Sequence, residues 1–285
     1  MPEKIITQAA PISLQGADAL QPRAIGAASL SVSADDTGRT RLQTMRQAGS
    51  TRLVLPQTFR PDLEAVIVNT AGGITGGDAY EFAFEAGPNA TLTLTTQAAE
   101  RAYRAQTGET GRLSTQLTVN AGARLNWLPQ EMILFEGCNL HRCLEIQMDA
   151  SAELLMVEPV VFGRTAMGET LRDVQFKDRI KITRDGVPIY VDGVDLRGDA
   201  AAHLATTATA KGAGAMCSVV MVTPDAERHL TPVRALLPDT AGASVLGSDV
   251  LVIRHLAPDS YDLRRDLIPV LEHLNQSPLP ASWRL

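Results

Sequence analysis

The chain has few cysteines, no long apolar run and no excess of basic residues, and each shortage excludes a class of protein. Three cysteines among 285 residues provide no disulfide framework of the secreted kind, and so low a count fits a reducing cytoplasm. Apolar runs such as residues 216–222 are far too short to cross a bilayer, and residues 1–28 contain no apolar signal-peptide core. The composition therefore predicts a soluble, cytoplasmic protein.

The sequence also lacks the charge of a nucleic-acid-binding protein and the motifs of the common enzymes. Its net charge of −6 and isoelectric point near 5.4 leave no basic excess. His-Glu-x-x-His, Gly-x-Ser-x-Gly, phosphate-loop and EF-hand patterns are all absent, and the five histidines are scattered. A triad assembled only by the fold would escape such a search. The absence of these motifs nevertheless predicts that the chain is not an enzyme and holds no permanently bound cofactor.

What the chain does have is a weak internal repeat of strand and turn. Three similar turn segments, residues 85–92, 120–125 and 149–154, each follow a run of alternating apolar residues. Their aligned alanines are 33 and then 29 residues apart. A unit of this length, recurring together with its strand, predicts stacked β layers, although small residues can also recur in turns by chance. We expect a mainly β protein with irregular, β-helix-like layers.

The remaining segments complete this prediction. Residues 1–26 are polar and rich in proline and glycine, which predicts a flexible tail, and residues 27–285 are expected to form a single domain. Asp185-Gly186 predicts a hairpin turn. The few helices are expected mostly in the C-terminal third, at residues 225–237, with Asp225 as the cap, and at 259–275.

Residues 69–78 (NTAGGITGGD) form the most unusual block of the chain. A phosphate-binding loop would lead into a helix. Here Tyr80, Phe82 and Phe84 alternate with small or acidic residues, which is the period of a strand. The glycines therefore predict a tight strand-to-strand turn that needs positive φ or close backbone approach. They are Gly72, Gly73, Gly76 and Gly77.

Four further blocks follow in a recognisable order. They are Thr95–Ala99 with Tyr103-Arg104, Trp127–Glu131, Phe162–Arg164 with Gly168-Glu169, and Pro280–Trp283. Together with the glycine block they resemble the urease accessory protein D family, over roughly residues 27–285. The resemblance implies an irregular β-helix-like fold, and it implies a non-enzymatic urease maturation scaffold. Such a protein binds urease apoprotein and accessory protein F, which recruits the GTPase G, and nickel passes through it to the urease active site without being permanently bound.

The resemblance places nickel traffic at Asp78, Glu158 and Asp192, and we add Glu131 and Glu169, which also adjoin motif blocks. Weak oxygen ligands suit an ion in transit, because each site must release it. The alternative is structural: these carboxylates pair with Arg104, Arg164 or Arg172, or clamp turns through hydrogen bonds. The other motif residues are expected to hold turns. They are Gly72, Gly73, Gly76, Gly77, Thr95, Gln97, Tyr103, Arg104, Gly163, Arg164 and Gly168.

Two departures from the family pattern leave the lining of such a path open. Asp192 stands where relatives often carry Glu, and Glu100-Arg101 stands where they often carry a small polar residue before Lys. Cys138, His141 and Cys143 offer soft metal ligands, but a loop histidine beside a small cysteine at the start of a strand explains them more simply.

Two other functions stay open at this point. A β-helical carbohydrate-active enzyme would use an acid/base pair drawn from Asp78, Glu131 and Asp192. Only four tyrosines and two tryptophans make a sugar-stacking cleft less favoured. A generic protein-interaction module unrelated to metals is the third possibility. No nucleic acid or membrane is expected as a partner.

Overall fold

The computed structural model describes residues 21–164, 167–275 and 277–284. The predicted tail lies mostly outside these residues. The described residues form the following strands: β1 Ile25–Ala34, β2 Thr40–Gly49, β3 Thr51–Val54, β4 Leu63–Asn69, β5 Ala79–Ala86, β6 Thr91–Thr96, β7 Glu100–Ala102, β8 Gly111–Val119, β9 Arg124–Leu128, β10 Met132–Leu134, β11 Asn139–Met148, β12 Glu153–Phe162, β13 Val174–Arg184, β14 Val187–Gly198, β15 Ala215–Val222, β16 Ala241–Leu246 and β17 Val250–Ala257. The helices are α1 Ala200–Ala205, α2 Glu227–Leu236 and α3 Ser260–Asn275.

Two large sheets pack face to face. The seven-stranded sheet has the order β14-β13-β11-β8-β5-β1-β2. The ten-stranded sheet runs β16-β17-β15-β12-β9-β6-β4-β3, and β10 joins it beside β12 and carries β7. Successive strands of one coil enter opposite sheets, and equivalent strands of successive coils pair in parallel, as β5 does with β8 and β8 with β11. The prediction of stacked, β-helix-like layers is therefore confirmed.

The sequence repeat corresponds to one coil of this stack. The three turns lie one above another, since the Asn89 N–H donates to the Ala121 carbonyl and the Gly122 N–H donates to the Ser151 hydroxyl. Apolar residues that alternate along the strands point between the sheets, where Leu92, Leu125 and Leu154 from three adjacent coils are fully buried. Each coil thus covers the apolar edge of the previous one, which is why a repeat of this length is stable only when stacked.

The glycine block forms the predicted turn, but it crosses between the sheets. It leaves β4 in the ten-stranded sheet and enters β5 in the seven-stranded sheet. Gly72 and Gly77 adopt φ of +78° and +82°, the left-handed region that favours glycine. A Cβ on Gly73 would lie 2.2 Å from the ring of Tyr103, so close approach explains this glycine instead.

The C-terminal third follows the sequence prediction with two corrections. The hairpin at Asp185-Gly186 joins β13 and β14, and both residues have positive φ. Helix α2 begins at Glu227 after Ala226, and no side chain caps it, so the predicted cap at Asp225 is wrong. Helix α1 was not predicted. Helices α2 and α3 pack on the outer face of the ten-stranded sheet, so the apolar stripe of α3 is core. No helix in the described ranges is long and apolar enough to span a membrane.

Candidate functional site

A cavity of about 190 Å³ lies between the two sheets. Its walls are mainly apolar side chains from both sheets, among them Tyr80 and Phe82 on one side and Ile67 and Trp127 on the other. Polar residues from the loops and the strands also line it: Asn69, Thr96, Gln97, Glu100, Arg101, Thr115, Gln130, Arg142, Cys143 and Glu158. Concave, largely apolar spaces with a few convergent polar groups are the usual form of binding sites and passages in proteins.

Glu158 is the centre of a polar cluster that joins the sheets. Its Oε1 accepts a hydrogen bond of 2.6 Å from the indole N–H of Trp127, and its Oε2 lies 2.6 Å from Nη1 of Arg142. That second contact is off the hydrogen-bonding direction, so Oε2 accepts no hydrogen bond within the described chain. Arg142 also donates to both oxygens of Asp178, at 2.9 and 2.6 Å. Burial raises the pKa of Glu158, while Arg142 opposes the shift.

Asp192 forms a second tie between the sheets. Its Oδ2 accepts hydrogen bonds from the Tyr190 hydroxyl at 3.0 Å, from Nη2 of Arg254 at 2.5 Å and from the Ser218 hydroxyl at 3.4 Å. Asp192 lies on β14, whereas Ser218 and Arg254 lie on β15 and β17 of the other sheet. Burial and the nearby Asp192 carboxylate raise the pKa of Tyr190. The contact between Asp192 and Arg254 holds the two sheets together near one edge.

Asp78 clamps the glycine turn. Its side chain is only 5% exposed, and its two oxygens accept hydrogen bonds from the backbone N–H groups of Ala24 (2.7 Å) and Thr75 (2.8 Å). Thr75 in turn donates its hydroxyl to the Arg104 carbonyl. This is the turn-clamping role that the structural alternative described, and Asp78 is not among the residues that line the cavity.

Glu131 and Glu169 each pair with an arginine. Nη1 of Arg264 on α3 lies 3.1 Å from Glu131, and its Nη2 donates to the Ser282 carbonyl at 2.6 Å. Glu169 accepts two hydrogen bonds from the guanidinium of Arg164, at 3.1 and 2.9 Å, as the sequence alternative proposed. The Arg164 hydrogen bonds lower the pKa of Glu169. The first contact anchors α3, and the second fixes local chain geometry.

The remaining motif residues also support turns. Thr95 donates its hydroxyl to the Leu128 carbonyl, and the Tyr103 hydroxyl donates to the Gly72 carbonyl. Gly163 and Gly168 adopt positive φ, at +81° and +68°. Gln97 differs from these residues because it lines the cavity. Arg104 packs against Gly137, where a Cβ would come within 2.6 Å of its guanidinium.

Two features of the site escaped the sequence prediction. Glu100, noted only as a departure from the family pattern, lines the cavity and accepts a hydrogen bond of 3.0 Å from Asn69 Nδ2. Burial raises the pKa of Glu100. The second feature is the identity of most arginine partners. The sequence had suggested Arg104, Arg164 and Arg172, whereas three of the carboxylates pair with Arg142, Arg254 and Arg264. Only the outward-inward alternation of β11 signals that Arg142 points between the sheets.

The candidate soft-ligand cluster does not assemble. Cys138 is buried in the apolar core, and burial raises the pKa of its thiol to about 12. His141 and Cys143 alternate along β11 with the inward-pointing Arg142. No group of three His, Cys, Asp or Glu side chains in the described ranges is close enough to hold a metal ion. The proposed acid/base carboxylates are also separate, because Asp78, Glu131 and Asp192 each bind a different partner.

Comparison with known proteins assigns the chain to a family. The family model described as UreD urease accessory protein matches residues 24–284. The urease accessory protein UreD of Ruegeria pomeroyi is 50% identical over 244 residues, 86% of this chain and 95% of that protein. The UreD protein of Roseobacter denitrificans is 49% identical over 265 residues, 93% and 96% of the two chains. That of Rhizobium rhizogenes is 43% identical over 264 residues, 92% and 96%. The chain therefore belongs to the UreD family of urease accessory proteins.

Proposed function

We propose that this protein is a cytoplasmic, non-enzymatic scaffold of urease maturation. It binds urease apoprotein and accessory protein F, and through F the GTPase G. Nickel released by the GTPase passes through the scaffold to the urease active site. The observation that carries the nickel part of this proposal is the cavity between the sheets, with the carboxylates of Glu100 and Glu158 in its lining.

The chemistry of these two carboxylates suits an ion in transit. Glu158 Oε1 accepts from Trp127 and its Oε2 lies 2.6 Å from Arg142, while Glu100 accepts from Asn69 and from the backbone N–H of Arg101, so each residue can offer a cation only part of its oxygen capacity. Oxygen ligands hold divalent nickel less firmly than imidazole or thiolate ligands do. An ion entering this space would therefore be bound weakly enough to leave again. The net charge of −6 also favours the approach of a cation.

The other predicted nickel residues support this path indirectly. Asp78 holds the glycine turn whose Gly72 borders the cavity, and Glu131 anchors α3 beside Gln130, which also lines it. Asp192 ties the sheets that enclose the space. We propose that these carboxylates shape the passage, and that Glu100 and Glu158 contact the ion.

The first test is deletion of the gene in its host, followed by measurement of urease activity and of the nickel content of purified urease. Inactive, nickel-poor urease that re-expression restores is the expected result. Active, fully metallated urease in the deletion strain would contradict the maturation role.

The nickel path is tested separately by substitution in the restored strain. Glu100→Gln and Glu158→Gln should lower the nickel content of urease while the protein still co-purifies with its partners. Glu81→Gln, on the exposed face of β5, is the matched control and should leave nickel content unchanged. Normal nickel content in both cavity variants would refute passage through the cavity and leave only the scaffold role.

A further inference from the structure

Strand β2 forms a free edge of the seven-stranded sheet. Among the described residues it pairs only with β1, in antiparallel register. In such a ladder the N–H and C=O groups of alternate residues point away from the partner strand, so β2 presents a row of unpaired groups on its open side. The ends of β2 are anchored, because the Thr40 N–H donates to the Pro61 carbonyl and the Gln47 side chain accepts from the Leu53 N–H. The open stretch is residues 41–46.

The open stretch also carries apolar surface that belongs to the core face. Leu42 and Met45 lie opposite Val32 and Leu30 of β1, which are fully buried between the sheets. On β2 the same face is left uncovered, and Leu42 and Met45 are 39% and 43% exposed. One more strand laid along β2 would cover both side chains and satisfy the free backbone groups together.

The charge of the segment around this edge is mainly positive. Residues 37–61 contain five arginines and no Asp or Glu, in a chain whose net charge is −6, and the carboxylates of Asp35, Asp36 and Asp62 flank this segment. Within the described ranges Arg39, Arg46 and Arg52 form no ion pair with a carboxylate. Arg41 pairs with Asp35, an exposed contact of small energetic value. The open stretch thus presents Arg46, which forms no ion pair in the described part of the chain, and Arg41, whose acidic contact there is the exposed one to Asp35.

This charge decides between two possible occupants. A second copy of the chain, paired antiparallel about the midpoint of Gln43 and Thr44, would set Arg41 opposite Arg46, and like charges opposite each other are unfavourable. An extended acidic segment is favoured instead, because its carboxylates would lie beside Arg41 and Arg46 while its apolar side chains cover Leu42 and Met45.

We propose that β2 is a docking edge for an extended, acidic and apolar segment of a protein partner, which adds to the seven-stranded sheet as an eighth strand. This mode of recognition uses backbone hydrogen bonds for affinity and alternate side chains for specificity. The proposal is independent of the nickel path, since β2 contributes no residue to the lining of the cavity.

The test uses the full chain and two synthetic peptides, one alternating valine with glutamate and one alternating valine with lysine. Backbone amide exchange is followed residue by residue while each peptide is added. The glutamate peptide should slow exchange at the open-side amides of residues 41–46 by about tenfold, and the lysine peptide should have no effect there.

Charge reversal provides the matched variants. Arg46→Glu should weaken binding of the glutamate peptide about tenfold and improve binding of the lysine peptide. Arg179→Glu, an exposed residue on β13 that likewise forms no ion pair in the described part of the chain, makes the same change in net charge and should leave both affinities unaltered. Equal effects of the two variants would show a non-specific charge effect and would overturn the proposal.

Three other results would also overturn it. The first is unchanged exchange of residues 41–46 at saturating glutamate peptide. The second is exchange that is already slow in the free chain and becomes fast when residues 1–20 are removed, because the chain itself would then cover the edge. Concentration-dependent slowing without peptide would assign the edge to a second copy and contradict the acidic occupant.

Discussion

Replacing Arg142 with methionine is the sharpest perturbation of the tie between the two sheets. Arg142 is the shared cation of two carboxylates, with contacts of 2.6 Å to Glu158 and of 2.9 and 2.6 Å to Asp178. The three side chains are at most 9% exposed. Removing one partner of a buried ion pair costs about 3–5 kcal/mol, because an uncompensated charge remains in the interior. Arg142 serves two carboxylates, so we expect Arg142→Met to cost about 5 kcal/mol.

That loss is a large share of the roughly 5–15 kcal/mol by which folded domains exceed their unfolded states. It is measured as the shift in the urea midpoint multiplied by the slope of the unfolding transition. The matched control is the triple variant Arg142→Met, Glu158→Gln, Asp178→Asn. It removes all three charges while keeping a carbonyl oxygen for the Trp127 N–H, and it should recover most of the lost stability.

The pH dependence gives an independent check. Burial raises the pKa of Glu158 and Arg142 opposes that shift, so without Arg142 the pKa of Glu158 in the folded protein rises further above its unfolded value of about 4.3. The folded variant then binds protons more tightly than the unfolded chain, so its deficit relative to the parent protein should shrink as pH falls from about 7.5 to about 5. A loss below about 1 kcal/mol, or a deficit that is the same at both pH values, would refute the reasoning.

Three further predictions concern single groups. Trp127→Phe removes the N–H that donates to Glu158 at 2.6 Å and should cost about 2 kcal/mol in urea unfolding; no measurable loss would show that the bond is exchanged for another donor. In the glycine turn, Gly72→Ala meets no atom within 4 Å and should cost about 1 kcal/mol through its positive φ alone. Gly76→Ala should cost more, because its Cβ would lie 2.7 Å from two neighbouring Cβ atoms, and the reverse order of melting temperatures would contradict this. Burial lowers the pKa of His255, so stability should fall as pH drops through about 6.5, and His255→Gln should flatten that slope by about one proton.

The arginine partners explain how the fold buries several carboxylates. Glu158, Asp192 and Glu131 come from strands or turns of the coil stack, and each meets an arginine from a different element. A carboxylate buried without a partner would cost several kcal/mol. Pairing keeps these side chains in fixed positions, and only Glu158 among the three also faces the cavity.

The sequence by itself determined the local structure and the family. Alternation along the strands, Asp185-Gly186 and the glycines of residues 69–78 fixed strands and turns, because these features depend on side-chain period and backbone φ within a few residues. The apolar stripe of α3 was equally visible. The order of the motif blocks indicated the urease accessory proteins, and the repeat of about 30 residues indicated stacked coils.

Only the tertiary structure decided the site. Asp178 lies 36 residues from Arg142, Asp192 lies 62 from Arg254, and Glu131 lies 133 from Arg264. Such partners meet because the coils stack and the sheets face each other, so no local pattern identifies them. The same stacking places Glu100 at the cavity and, among the described residues, leaves β2 without an outer neighbour. The side-chain period shows which face of a strand a residue occupies. Which charged residue lies opposite it depends on the register of strands that are far apart in the chain.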